Sequence, residues 1–197
     1  RWRSLLTWSL TDVLLFWLIM LVGFVRLYTV RDLPAGLWGD SYQHTMMAQL
    51  LVDNHGLFSS WEPYAPLATF TYHFGFHANV AFFHWLTDIP VTQSVIDIGQ
   101  VLNAATVPMA FLLTVRLTGN RNAGLWAALL TGFLNTQPAF YVNWGRYTQL
   151  AGQVILPVVL VAWMNALENE RLNWRLLGLG AILSAGLALT HYIVTIF

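Results

Sequence analysis

Residues 13–25, VLLFWLIMLVGFV, carry no charged side chain, and they sit inside an apolar run from Thr11 to Val30. A helix of about 20 mainly apolar residues is the length that crosses a bilayer core. Four more stretches have the same character, at residues 91–115, 123–142, 149–167 and 176–197. Pro108, Pro138 and Pro157 lie in or near them, which spanning helices tolerate when neighbours satisfy the freed carbonyls. The expectation is an all-α membrane protein, a multi-span helical bundle. The first run is too long for a signal peptide and lacks a small-residue cleavage site, so it reads as an anchor. Residue 1 is not Met and the last residues lie inside an apolar run, so the chain is expected to be the N-terminal part of a longer polytopic transmembrane domain.

Composition agrees. Only 9% of residues are charged and 57% are hydrophobic, against about 25% charged in a soluble domain. A net charge of zero argues against a nucleic-acid binder. The chain has no cysteine, which excludes disulfides, thiolate metal sites and a cysteine nucleophile. All nine basic residues are arginines, and they divide by side. Arg1, Arg3, Arg116, Arg121, Arg171 and Arg175 fall at one end of the spans, and Arg26, Arg31 and Arg146 at the other. The positive-inside rule then puts the N-terminus in the cytoplasm of a cell membrane and residues 31–90 outside.

That external segment of about 60 residues is patterned. Asp40-Ser41-Tyr42-Gln43 can open a capped helix running to about Val52, with Met46, Met47, Leu50 and Leu51 on one stripe and Asn54-His55-Gly56 as its end signal. Trp61-Glu62-Pro63-Tyr64 reads as irregular, and a second interfacial helix is expected from about Tyr72 to Leu86.

The polar residues of this side are the candidates for chemistry. Asp40 follows Trp38-Gly39 just past the first span. It can cap the next helix, serve as a general base for an acceptor hydroxyl, or do both. His44 lies one turn on. On an ideal helix His73, His77 and His84 fall within about 40° of one another. They can bind a divalent metal through His73 and His77, contact phosphate oxygens, or sit at the interface among phenylalanines; no glutamate follows as in zincins. Arg146, beside Tyr147 and Gln149 in a short external turn, can take phosphate oxygens through two parallel donors or snorkel to headgroups. His191 lies within the last span, as a functional ionisable group or a neutral imidazole bonded to a backbone carbonyl. Glu62 is a second carboxylate, either a ligand or a solvated loop residue.

At these residues the chain resembles the GT-C superfamily of polytopic glycosyltransferases. Trp38-Gly39-Asp40-Ser41-Tyr42-Gln43-His44 and Leu50-Leu51-Val52-Asp53-Asn54-His55-Gly56-Leu57 are similar to segments of protein mannosyltransferases, aminoarabinose transferases and the catalytic subunit of oligosaccharyltransferase. The resemblance implies an N-in first span and a large first external loop with two interfacial helices. It also implies a polyprenyl-phosphate sugar donor and Asp40 as the catalytic carboxylate. Gly145-Arg146-Tyr147 stands where the oligosaccharyltransferase subunit has a short loop with acidic metal ligands, and here there are none. Ser41 stands where mannosyltransferases tend to have a second carboxylate. The leading expectation is sugar transfer from that donor to an acceptor hydroxyl on the extracytoplasmic face. The alternatives are a transporter or flippase for a lipid-linked or anionic substrate, and a non-catalytic scaffold.

Overall fold

The computed structural model of the chain describes residues 8–168 and 173–196. Arg1, Arg3 and Arg171, counted above in the charge asymmetry, lie outside the described residues. Among the described residues every regular element is helical, and three helices are long and apolar enough to cross a membrane: α1 (Leu10–Val30), α4 (Val91–Thr118) and α7 (Tyr147–Leu167). That is compatible with a membrane protein. Between α1 and α4 lie α2 (Trp38–Asp53) and α3 (Gly75–Thr87), the two helices expected in segment 31–90.

Ser9 and Asp12 form a capping box at the start of α1, and Asp12 also pairs with Arg121 at the start of α5 (Arg121–Leu129). Arg116 near the end of α4 pairs with Glu168 beyond α7. These contacts gather the start of α1 and α5 and the end of α4 and α7 at one end of the bundle. The functional candidates gather at the other end. Helix α4 is the hub, packed against α1, α5, α7, α2, α3 and the helix at Gln137–Asn143.

The third expected span, residues 123–142, is not one helix. Helix α5 runs into a π turn at Leu130–Leu134, and α6 (Gln137–Asn143) starts afresh with Pro138 in its first turn. Gly132 makes the packing feasible, since a side chain there would collide with Val22 of α1. The break frees backbone groups, and two side chains take them up. Arg26 Nη2 donates to the Gly132 carbonyl at 2.8 Å, and Asn135 Oδ1 accepts from the Gln137 N–H at 2.9 Å. The break is therefore a satisfied feature.

The last expected span, residues 176–197, is also divided. Helix α8 (Trp174–Thr190) has 17 residues, and a break at His191 precedes the short α9 (Tyr192–Ile196). Gly75 and Gly152 admit this corner. A side chain at Gly75 would meet Thr190 at 2.5 Å, and one at Gly152 would meet His191 at 2.9 Å.

Helix α2 ends one residue past the expected point, but the left-handed residue is His55 (φ 52°), not Gly56. His55 and Gly56 donate their N–H groups to the Val52 and Leu51 carbonyls, the double closure of a Schellman end. The α2 stripe is buried as expected at Met47, Leu50 and Leu51. Below it, Ala48, Phe76, Val80, Val95, Val142, Tyr147 and Leu150 join α2, α3, α4, α6 and α7 in one apolar core. The site stands on this floor.

Candidate functional site

The site begins with the first turn of α2. Its N-cap is Leu37, which has no side chain to offer, and Asp40 occupies the third helical position. The expected capping role of Asp40 is thus corrected. Its carboxylate still lies in the first turn, where the helix dipole favours an anion, but the side chain turns to Arg146. Trp38 enters the helix at φ 65°, a conformation that costs a non-glycine residue on the order of 1 kcal/mol or more.

Arg146 is the N-cap of α7 and has no capping side chain. A cation is badly placed there with respect to the dipole, and Asp40 compensates. Arg146 Nε stands 3.2 Å from Asp40 Oδ2, and the guanidinium lies 4.4 Å over the Trp144 ring. Gly145 makes this approach feasible. Its φ is +76°, and a side chain there would meet the Ser41 N at 2.7 Å and Asp40 Cβ at 3.0 Å. Both partners of the ion pair are about two-fifths exposed, so the pair contributes at most about 1 kcal/mol. Such a pair opens readily, and each member is available to a ligand.

Asp40 and Arg146 border a cavity of about 210 Å³ whose other walls are Gln43, His44, Met47, Tyr72, Thr148, Gln149 and His191. Five sequence candidates therefore meet in one place: Asp40, His44, Arg146, Gln149 and His191. They come from α2, the α6–α7 turn, α7 and the α8–α9 corner. His191 is not inside a continuous span, and its ring bonds a backbone N–H in place of the expected carbonyl: Nδ1 accepts from the Val194 N–H at 3.2 Å, which leaves the ring proton of the neutral imidazole on Nε2.

The remaining candidates lie elsewhere. Tyr147 does not line this cavity. Its ring stacks on Phe76 at 5.2 Å and its hydroxyl is 3.2 Å from Ser41 Oγ, so it is a core residue facing away from Asp40. Glu62 is exposed in the α2–α3 loop and does not line the cavity. The three-histidine face is also corrected. Helix α3 begins only at Gly75, so His73 precedes it and the expected spacing on one helix is lost. His77 is fully buried, with Nε2 at 2.9 Å from His44 Nδ1. His73 packs 4.6 Å from His191 and 3.9 Å from Tyr72, ring to ring. His84 lies 2.7 Å from the Ile89 carbonyl through Nδ1. Among the described residues no group of three or more His, Asp or Glu is placed to hold a metal ion. The donors at hand do not fit a divalent metal, and the His73–His77 metal site is set aside.

Electrostatics then define what the walls offer. Burial pushes His44 down to about 4, with the nearby Asp40 pulling it up and Arg146 pushing it down further. Burial also takes His73 to about 4, and His77 lies well below its ordinary value for the same reason. Near neutral pH these imidazoles are uncharged, and act as hydrogen-bonding groups rather than as cations. Burial raises the Tyr72 phenol, which keeps it protonated, and the neighbouring Thr148 offsets part of that rise. The cavity thus combines one carboxylate, one guanidinium and a set of neutral donors and acceptors.

Tyr72 and Thr148 were not among the expected site residues, although each sits next to one that was, His73 and Tyr147. Their signal is a hydroxyl beside the flagged residue. Reading by charge passes over it.

No protein-family profile and no curated protein sequence matches the chain.

Proposed function

We propose that this chain belongs to a membrane glycosyltransferase of GT-C type, which transfers a sugar from a polyprenyl-phosphate donor to an acceptor hydroxyl. The observation that carries the reading is the meeting of Asp40, Arg146, His44 and His191 around one cavity, from three separate places in the chain, α2, the α6–α7 turn and the α8–α9 corner. The sequence has six arginines on the side opposite Asp40 and three, Arg26, Arg31 and Arg146, on its own side, and by the positive-inside rule the cavity end is extracytoplasmic. Segment 31–90, with α2 and α3, is then the large first external loop.

The chemistry follows from the side chains. Asp40 takes the proton of the acceptor hydroxyl, and the acceptor oxygen bonds to the anomeric carbon of the sugar. The bond from that carbon to the phosphate oxygen breaks, and the lipid phosphate leaves as an anion. Arg146 exchanges Asp40 for this phosphate, which stabilises the developing charge and frees the carboxylate to act as base. His44 and His191, as neutral donors, orient the sugar or phosphate oxygens.

The test is Asp40→Asn in membranes supplied with polyprenyl-phosphate mannose and, separately, polyprenyl-phosphate aminoarabinose. Sugar transfer by the parent chain and a loss of about 100-fold or more in the variant, at equal insertion, is the expected result. Unchanged transfer overturns the assignment of the base. The broken α5–α6 segment favours a second reading, a transporter or flippase for a lipid-linked substrate, because transporters place their sites at interrupted helices. That reading expects lipid movement without sugar transfer in the parent chain.

A further inference from the structure

We propose a second binding site, for the phosphate headgroup of a membrane lipid, in a cavity between α1, α4 and α6 that has Arg26 at its edge. The cavity measures about 250 Å³, and its polar walls are Arg26, Thr29, Gln100, Asn103, Asn143 and Tyr147. It is separate from the Asp40 cavity.

Three observations point to an anionic occupant. Arg26 has no carboxylate within ion-pair distance among the described residues, whereas Arg31, Arg116, Arg121 and Arg146 each have one. Its Nη2 is used by the Gly132 carbonyl, but its Nε is buried without a hydrogen-bond partner. An unused guanidinium donor beside a cavity selects an acceptor with negative charge. The second observation is the amides. Gln100 and Asn103 are 6% and 2% exposed, and each would be costly to bury without partners. Between them they make one 3.3 Å contact, Asn103 Nδ2 to Gln100 Oε1, so donor capacity is left facing the cavity.

The third is the mouth. A cleft of about 380 Å³ shares Arg26, Ala139 and Asn143 with the first cavity, and its other walls are Asn135, Thr136, Phe133, Leu134 and Phe140. The last three are 43%, 70% and 47% exposed. A charged, amide-lined pocket that opens on a cleft with exposed apolar side chains along one part of its wall matches an amphiphile with a polar head and a hydrocarbon tail. Depth agrees: Arg26 lies about one turn before the end of α1, where the phosphates of a bilayer meet a spanning helix. Arg26 also holds the π turn, so an occupant here touches the break in the α5–α6 segment directly. The site stands whether or not the Asp40 cavity transfers a sugar. The phosphate can come from a polyprenyl phosphate or from a bulk phospholipid.

The experiment is native mass spectrometry of the purified, delipidated chain, titrated with undecaprenyl phosphate, phosphatidylglycerol and, as the uncharged control, diacylglycerol. Retention of the phosphate lipids over diacylglycerol is expected, with occupancy falling about tenfold in Arg26→Gln. Because Arg26 also bonds Gly132, Asn143→Leu is the second variant. It leaves that bond in place and is expected to lower occupancy with an unchanged melting temperature. Preference for undecaprenyl phosphate over phosphatidylglycerol assigns the site to the carrier lipid, and equal retention assigns it to bulk lipid; both uphold it. Equal binding of diacylglycerol, or parent-level occupancy in a folded Asn143→Leu, overturns it.

Discussion

The two polar cavities near Tyr147 differ in the kind of polarity they hold. One has a carboxylate, a guanidinium and the His44 and His191 imidazoles. The other has a guanidinium, three amides and two hydroxyls, with no group that titrates near neutral pH. Tyr147 stands between them. It lines the amide cavity, packs edge-on 5.9 Å from His44 of the other, and meets Ser41 beside Asp40. A pocket without a base can hold a ligand but cannot move its proton; one with a carboxylate and neutral imidazoles can do both. The difference suggests a division between holding and reacting.

The largest expected effect tests that division directly. Asp40→Asn should abolish sugar transfer yet leave phosphate-lipid occupancy at the Arg26 cavity unchanged, read on the same preparation by transfer assay and native mass spectrometry. If occupancy falls with transfer, the two cavities are one site and the comparison fails. Next in size is Arg146. Arg146→Gln removes the charge that meets the leaving phosphate and should slow transfer about 100-fold. Arg146→Lys keeps a point charge without the two-pronged donor and should lose about tenfold. Equal rates in both variants would mean the guanidinium shape, not the charge, is what the site uses.

How far the amino-acid sequence announced these features depends on which force made them. Helices α1, α4 and α7 were legible because a helix long and apolar enough to cross a membrane needs a long run nearly free of charge, and nothing else in the chain competes with it. The helices α2 and α3 were legible to within a few residues, α2 from the Met46–Leu51 stripe and the Asn54-His55-Gly56 end signal. The break between α5 and α6 was not. Gly132, Asn135 and Pro138 are each tolerable inside a spanning helix, and what decides is a tertiary contact, Arg26 reaching the Gly132 carbonyl. At the site, the arginine asymmetry put Asp40, Arg146 and His191 at one end. Their actual meeting rests on Gly145, whose positive φ and missing side chain let the α6–α7 turn touch α2. Tyr147 is set apart from its neighbours for a rotational reason: one step along a helix turns the side chain by about 100°. Thr148 and Gln149 line the cavity while Tyr147 faces the core.

A smaller effect separates the cavities by pH. His44 and His73 are held near 4 by burial in the fold, against about 6.5 for an unfolded histidine. Between those values the unfolded chain binds more protons than the folded one. Folding stability is therefore full above about pH 6.5 and declines as pH falls toward 4. Thermal unfolding in detergent across that range should show the decline, and His44→Asn should flatten it. Asn103→Leu, in the cavity without titrating groups, should move the whole curve and leave its slope alone. A slope unchanged by His44→Asn would show that the imidazole is not buried neutral.

The smallest effect concerns the wall itself. Tyr147→Phe removes one hydroxyl whose partner, Ser41 Oγ, keeps its bond to the Leu37 carbonyl. The ring stays on Phe76, so the loss is one modest hydrogen bond, about 1 kcal/mol. For a chain of this size that lowers the melting temperature by about 2–4 °C. Since Tyr147 is not one of the reacting groups, the transfer rate should stay within about twofold of the parent, well under the roughly tenfold that 1.4 kcal/mol represents, while lipid occupancy should fall only by what one wall hydroxyl of the Arg26 cavity contributes. A selective loss of transfer would restore Tyr147 as a substrate contact. A selective loss of lipid occupancy would make its hydroxyl a headgroup ligand of the Arg26 cavity. An equal loss of both would join the two cavities through the Ser41–Tyr147 contact.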